Sequence, residues 1–275
     1  MPKVYTVKAF SKNHQGGNAA GVVLQAEGLP REEKQHIAQH MGFSETAFLS
    51  PSPCADFRLE YFTPVDEVAL CGHATIGTFV LMHQLGVISS GTYTIQTLAG
   101  VLKVKVADDG TVMMQQTLPQ FMEVFSVEEF SACLQTPWTN PQLPIQAVST
   151  GLKDILFPID TPDHLFQLQP DFPAMTALNQ RQQVVGIHAF SLTPGEPTTA
   201  VCRNFAPLYG IDEESATGTS NCALACYLFH HLQQQDTYLF EQGHNLGSVS
   251  QIQVHLRHQD GIIQEVYVGG KGYVV

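Results

Sequence analysis

Charge is scarce in this chain, and positive charge is the scarcer kind. Only 14 % of its 275 residues are charged, with 13 Lys and Arg against 25 Asp and Glu and a formal net charge of −12. Nucleic acids and anionic membranes reward basic patches, so neither is expected as a partner. An anionic substrate would have to be held largely by backbone N–H groups and helix dipoles. Long apolar runs are missing too: none reaches the roughly 18 residues that a membrane span needs. The N-terminus alternates like a strand, from Lys3 to Phe10, and has no apolar h-region, so a cytoplasmic location is expected. Six cysteines (54, 71, 133, 202, 222 and 226) are scattered through the chain rather than framed for disulfides, and free, mostly buried thiols are expected. Cys222 and Cys226, with His230 a turn further on, are better read as core packing than as metal ligands; no metal is expected. The phosphate-binding P-loop, the Gly-x-Ser-x-Gly elbow and the dinucleotide fingerprint are all absent; Gly16-Gly17-Asn18-Ala19-Ala20-Gly21 leads into a strand, not a helix.

What the chain does have is a motif written twice. Phe62-Thr63-Pro64 to Cys71-Gly72-His73-Ala74-Thr75 is matched about half a chain later by Phe205-Ala206-Pro207 to Ser215-Ala216-Thr217-Gly218-Thr219. Each copy runs Phe-x-Pro, an acidic patch, a small nucleophile-type residue, a Gly/Thr turn and an apolar stretch. The apolar stretches, Cys71–Leu85 and Thr217–His231, are apolar almost all round, which suits helices enclosed by strands. A duplicated architecture follows. Arg31–Met41 reads as a surface helix. Twelve strand-like stretches fill most of the rest, with Asp108-Asp109-Gly110 as a hairpin turn. The Pro-punctuated region from Pro119 to Pro144 reads as a linker between halves, and 160–172 as a loop.

The chemistry-bearing residues gather at the two turns. Gly72 and Gly218 open the apolar helices, where first-turn N–H groups can bind a carboxylate; N-capping by Thr or Ser is the ordinary alternative. His73 in the first turn is either a proton shuttle, its pKa depressed by the helix dipole, or a satisfied core histidine. Glu45, at the start of a short strand among apolar neighbours, is either a solvated edge residue or, if buried, a general acid or base. Asp212-Glu213-Glu214 precede Ser215 and either favour the helix dipole or crowd one another into proton-transfer work. Cys71 corresponds to Ser215, and a hydroxyl is a much weaker base than a thiolate, so a two-thiol racemase is not available.

Taken in order, these segments resemble the phenazine-biosynthesis PhzF-like family, a branch of the diaminopimelate epimerase fold. The matching pieces are Gly17-Asn18-Ala19-Ala20-Gly21, Ser44-Glu45-Thr46, Leu70-Cys71-Gly72-His73-Ala74-Thr75, Arg203-Asn204-Phe205-Ala206-Pro207, Ala216-Thr217-Gly218-Thr219, Glu241-Gln242-Gly243 and Val268-Gly269-Gly270. The resemblance implies an α/β (α+β) protein of two pseudo-symmetric domains, each a barrel-like sheet around a central apolar helix. The expected domains are 1–118, with the C-terminal strand from about 264 returning to it, and 119–263. It also implies a site in the cleft between them, a homodimer and no cofactor. Glu45 matches the family's proton-transferring base, and His73 and Glu214 match further catalytic positions. Asn18, Gly72, Ser215, Thr217, Gly218 and Thr219 are the expected substrate contacts. The family's usual Asp-Pro and following Ser are replaced here by Glu214, Ser215 and Thr219. The expected function is a cofactor-independent isomerase that moves a proton on a small carboxylate. An amino-acid or hydroxy-acid epimerase and a non-catalytic binder of small acids are the alternatives.

Overall fold

A computed structural model describes residues 2–275. The chain divides into two compact units, one running to Gln115 and joined by Gly269–Val275, the other Gln116–Val268. The first contains β1 (Tyr5–Ala9), β2 (Asn18–Val23), α1 (Arg31–Met41), β3 (Thr46–Ser50), β4 (Phe57–Phe62), β5 (Glu67–Val68), α2 (Gly72–Gln84), β6 (Gly91–Thr97), β7 (Gly100–Val106) and β8 (Val112–Gln116). The second contains β9 (Gln120–Phe125), β10 (Ile145–Ser149), β11 (Lys153–Ile159), α3 (Pro162–Gln167), α4 (Phe172–Gln182), β12 (Gly186–Leu192), β13 (Ala200–Ala206), β14 (Ile211–Glu214), α5 (Gly218–His231), β15 (Thr237–Gln242), β16 (Ser250–Gln259) and β17 (Ile262–Gly270). A terminal strand, Gly272–Val274, pairs antiparallel with β1, Val7 opposite Val274.

The duplication extends to topology. In the first unit β1 and β2 form an antiparallel pair, α1 crosses to β3 parallel to β2, β3 and β4 are antiparallel, and α2 crosses to β6 parallel to β4. In the second, β10 and β11 are antiparallel, α3 and α4 cross to β12 parallel to β11, β12 and β13 are antiparallel, and α5 crosses to β15 parallel to β13. A parallel pair needs a crossover of a dozen or more residues, which is what places a helix at each of these four points.

Both central helices are enclosed, as their lack of a polar face requires. Every residue of α2 from His73 to Met82 is buried, and every residue of α5 from Ser220 to Phe229. Each fully buried Leu, Ile or Phe contributes about 1.5–3 kcal/mol relative to exposure, so these helices are held mainly by packing. Tyr227 adds a polar tie: its hydroxyl donates to Pro144 O at 2.6 Å. Gly86, at φ 68°, ends α2 in the left-handed region while Val87 N–H closes onto Met82 O.

Two sequence expectations are corrected. Residues 119–144 are not a linker: β9 pairs with β10, and Phe130, Cys133 and Leu134 enter the second unit's core with Phe157 and Phe205. Residues 160–172 are not one loop: α3 runs through Gln167 and α4 starts at Phe172. The signals were present, because Thr161 and Asp171 cap the two helices, their side chains accepting His164 N–H and Ala174 N–H, with Pro in each first turn.

Candidate active site

In the first unit, β3 begins one residue after Glu45, and α2 begins one residue before His73. Glu45 Oε2 lies 3.3 Å from His73 Nε2. Ser44 Oγ lies 3.4 Å from the same nitrogen, and Asn18 Nδ2 lies 3.4 Å from His73 Nδ1. Cys71 Sγ lies 3.5 Å from Nδ1 and 3.9 Å from Nε2. The imidazole is therefore ringed by a carboxylate, a thiol, an amide and a hydroxyl drawn from three separate stretches of chain. Burial pushes its pKa below the ordinary histidine value, and the Glu45 carboxylate opposes that shift without overcoming it. The direction matches the sequence reading, and the largest cause is desolvation by burial. Glu45 Oε2 is itself buried and has no hydrogen-bond partner, so its lone pairs are available for chemistry.

The turn that carries His73 is tied down behind the site. Thr75 Oγ1 donates to Cys71 O at 2.7 Å and meets Tyr61 Oη at 2.6 Å. Cys71 is the N-cap, yet its side chain makes no capping bond. The capping alternative thus fails at α2, and its first-turn N–H groups keep no N-cap side-chain acceptor. A Cβ on Gly72 would meet nothing within 4 Å, so there is open space beside these N–H groups. An anion can reach them there.

In the second unit the corresponding turn is closed. Thr217 is the N-cap of α5 and again makes no capping bond. Its hydroxyl donates instead to Glu214 Oε2 at 2.7 Å, and its N–H donates to Gln242 Oε1 at 3.2 Å. Gln242 Nε2 donates to Glu214 O at 2.7 Å and to Thr217 Oγ1 at 3.0 Å, while Asn221 Nδ2 donates to Gln242 Oε1 at 3.0 Å. Gly243, at φ 91°, makes room for this: a Cβ there would sit 2.4 Å from Ser248 O and 3.0 Å from Ser215 O. Ser215 and Thr219 are half-buried, and Thr219 O accepts from Thr150 Oγ1 at 3.0 Å. The three acids do not crowd one another. Asp212 is exposed, Glu213 takes both arms of buried Arg203 at 3.0 and 2.8 Å, and Glu214 faces Thr217.

Beneath α5 lies a buried polar group that sequence reasoning did not single out. Ser220 Oγ donates to Asp154 Oδ2 at 2.6 Å, and Asn204 Nδ2 lies 3.1 Å from both Ser220 Oγ and His188 Nδ1. Burial raises Asp154 to about 7 and lowers His188 to about 3. Gln242 was visible within the Glu-Gln-Gly segment, but its contacts were not. Cys222 and Cys226 are buried in α5, and burial pushes both thiols up, as packing cysteines require. The two shallow depressions along α1, lined by residues such as Lys34, Arg58, Glu60 and Arg31, carry charges already paired with one another: Lys34 lies 2.5 Å from Glu60, and Arg31 2.5 Å from Asp66.

This fold with this site has relatives. The chain matches the family pattern "Phenazine biosynthesis-like protein" (PhzC-PhzF) over residues 7–275. It is 32 % identical over 287 residues to "Uncharacterized isomerase YddE" of Escherichia coli K12, covering 100 % of this chain and 96 % of that one. It is 30 % identical to "Uncharacterized isomerase YfhB" of Bacillus subtilis, covering 98 % and 96 %. Among solved structures, the Bacillus anthracis phenazine biosynthesis protein of the PhzF family superposes with a TM-score of 0.91 at 29 % identity over 99 % of this chain and 96 % of that one. These likenesses and the two-unit α/β fold define an enzyme of the isomerase type. The chain belongs to the phenazine biosynthesis-like, PhzC-PhzF family. No helix among the described residues is long and apolar enough to cross a membrane.

Proposed function

We propose that the protein is a cofactor-independent isomerase that moves a proton between carbons of a small carboxylate, with Glu45 as the general acid and base. The observation that carries this reading is the 3.3 Å approach of Glu45 Oε2 to His73 Nε2 at the uncapped start of α2. The substrate carboxylate sits against the N–H groups around Gly72 and His73. Glu45 takes a proton from a carbon activated by that carboxylate. The electron pair left behind spreads into the acid's π system, where the fixed N–H groups stabilise the charge. Glu45, now protonated and in exchange with solvent, delivers a proton to another carbon of the skeleton, so substrate and product have the same composition. Asn18 and Ser44 fix the imidazole, and buried, neutral His73 orients the Glu45 carboxyl and relays the proton. Glu214, Thr217 and Gln242 hold the turn at Gly218 and Thr219 in the second unit. The partner this requires is a small-molecule acid, and neither nucleic acid nor membrane takes part.

A second reading, epimerisation at one carbon, is favoured by one observation: Cys71 Sγ lies on the imidazole as Glu45 does, giving two proton-bearing groups beside one histidine. Stereoinversion of an α-substituted acid, with solvent deuterium at the inverted carbon, would establish it.

The test is a survey of small unsaturated and α-acidic carboxylates incubated with the enzyme in deuterated water. The expected result is deuterium on a carbon of at least one acid, together with a shifted double bond. Absence of label and of product from the whole survey would overturn the isomerase reading.

A further inference from the structure

Proton transfer makes no direct use of Tyr61, a buried phenol on β4. It pairs across to Ala47 of β3, two residues beyond Glu45. Its hydroxyl lies 2.6 Å from Thr75 Oγ1, which lies 2.7 Å from Cys71 O. The direction of both bonds is fixed. A carbonyl can only accept, so the single Thr75 hydroxyl proton goes to Cys71 O, and Tyr61 donates to Thr75. Burial pushes the pKa of the phenol up, so that proton stays in place. Cys71 O accepts a second bond, from Thr75 N–H at 3.1 Å. Cys71 O and Gly72 N–H belong to one planar trans peptide and point opposite ways. Tying the oxygen into α2 therefore turns the N–H outward. Gly72 N–H, in the first turn, has no acceptor within the helix, and a Cβ on Gly72 would meet nothing within 4 Å.

We propose that Tyr61 and Thr75 are positioning residues for the substrate carboxylate, acting on Gly72 N–H through the Cys71–Gly72 peptide. Thr75 fixes the plane of that peptide. Tyr61 sharpens the pull on its oxygen, because each bond in a hydrogen-bonded chain polarises the next. The last member of the chain is the N–H that meets the anion. This role rests on the isomerase reading, in which the carboxylate lies against that N–H. The second unit supplies the contrast. Asn221 stands four residues after the N-cap Thr217, as Thr75 does after Cys71, and its Nδ2 donates to Thr217 O at 2.8 Å. Behind it stands an amide rather than a phenol, since Asn221 Nδ2 also donates to Gln242 Oε1 at 3.0 Å. Asn204 precedes Phe205 as Tyr61 precedes Phe62, and its Nδ2 donates to Ser220 Oγ at 3.1 Å instead. The carbonyl before each central helix is thus tied back into that helix, and at α2 the tie is driven by a buried phenol.

The experiment follows the Gly72 backbone amide by NMR in full-length protein labelled with ¹⁵N-glycine, titrated with acetate as the probe. Loss of one resonance in Gly72→Ala identifies it. In the wild type that resonance should shift with acetate and saturate. Tyr61→Phe should weaken acetate binding about two- to fivefold, and Thr75→Val, which also frees the peptide plane, about tenfold. Thr75→Ser keeps the hydroxyl and should bind within about twofold of wild type. Tyr227→Phe removes a different buried bond, from Tyr227 Oη to Pro144 O, and should leave acetate binding unchanged. Equal affinity in the wild type, Tyr61→Phe and Thr75→Val would overturn the proposal, as would a loss in Tyr227→Phe as large as that in Tyr61→Phe. If Thr75→Val does not fold, Tyr61→Phe alone decides. A wild-type Gly72 amide that ignores acetate would remove the carboxylate from this turn and the positioning role with it. A wild-type response with unchanged affinity in the variants removes only the role of Tyr61 and Thr75. Proton transfer itself stands or falls separately, on the deuterium survey.

Discussion

The turn before α2 and the turn before α5 share a backbone plan and differ in what their side chains are committed to. Each follows a short strand, opens a fully enclosed helix and has an N-cap residue whose side chain does not cap. At α5, Glu214, Thr217, Asn221 and Gln242 hydrogen-bond to one another, with Asn221 Oδ1 left buried and without a partner. At α2, the carboxylate, thiol and imidazole meet at 3.3–3.9 Å, with Glu45 Oε2 buried and unsatisfied. A buried polar atom without a partner costs on the order of 1–3 kcal/mol. The comparison teaches that a repeated turn need not repeat its chemistry, since one copy ties its polar side chains to one another while the other gathers a carboxylate, a thiol and an imidazole.

Four substitutions sharpen that contrast. The largest effect is expected beneath α5. Asp154 is held near 7, above its ordinary value of 3.8. A group whose pKa rises on folding stabilises the protein fully below its unfolded pKa and loses that contribution as pH rises through the folded one. Wild-type stability relative to Asp154→Asn should therefore fall by up to about 4 kcal/mol between pH 4 and 7, measured by urea unfolding across that window. His188, lowered to about 3, acts with the opposite sign, losing stability as pH falls below the ordinary histidine range. It is present in both proteins and cancels in the comparison. Next, Gly243→Ala combines a left-handed backbone with a carbonyl 2.4 Å from the new Cβ; about 3 kcal/mol should be lost in the same assay. Gln242→Ala opens the circuit around Thr217 and should lower stability by about 1–3 kcal/mol. Gly72→Ala meets open space and should change stability by less than about 1 kcal/mol, while weakening binding of any carboxylate found in the deuterium survey, as read by calorimetry. Equal stability losses at Gly72 and Gly243 would erase the distinction between an open turn and a closed one.

The two central helices were legible because helices apolar on every side have to be enclosed, and the repeated Phe-x-Pro motif marked the strand before each. The span Arg31–Met41 was legible from Pro30 before it and the left-handed Gly42 after it. Residues 119–144 were not, because prolines and scattered acids look like a linker until β9 finds β10, from Ile145 opposite Phe125 to Ser149 opposite Gln120, a pairing between residues 20 to 29 positions apart. The candidate site follows the same division. Glu45 and His73 could be named as candidates, and the family resemblance joined them, but 28 residues separate them in sequence. Only the parallel pairing of β2 with β3 and the docking of α2 bring Asn18, Glu45 and His73 together. The closeness of Cys71 to the imidazole had no signal beyond its place in the motif. The circuit around Gln242 depends on β15 lying parallel to β13, a non-local contact that local patterning does not encode.

The central claim is that proton transfer belongs to the turn at α2. It is tested most directly by comparing solvent deuterium uptake into a responding carboxylate for the wild-type enzyme, Glu45→Gln and Glu214→Gln, at saturating substrate. The account predicts a loss of about 10³-fold for Glu45→Gln, within the range for removal of a general acid or base, and about tenfold or less for Glu214→Gln, whose carboxylate positions a turn. Exchange by Glu45→Gln within tenfold of wild type, or an equal loss in both variants, would contradict it.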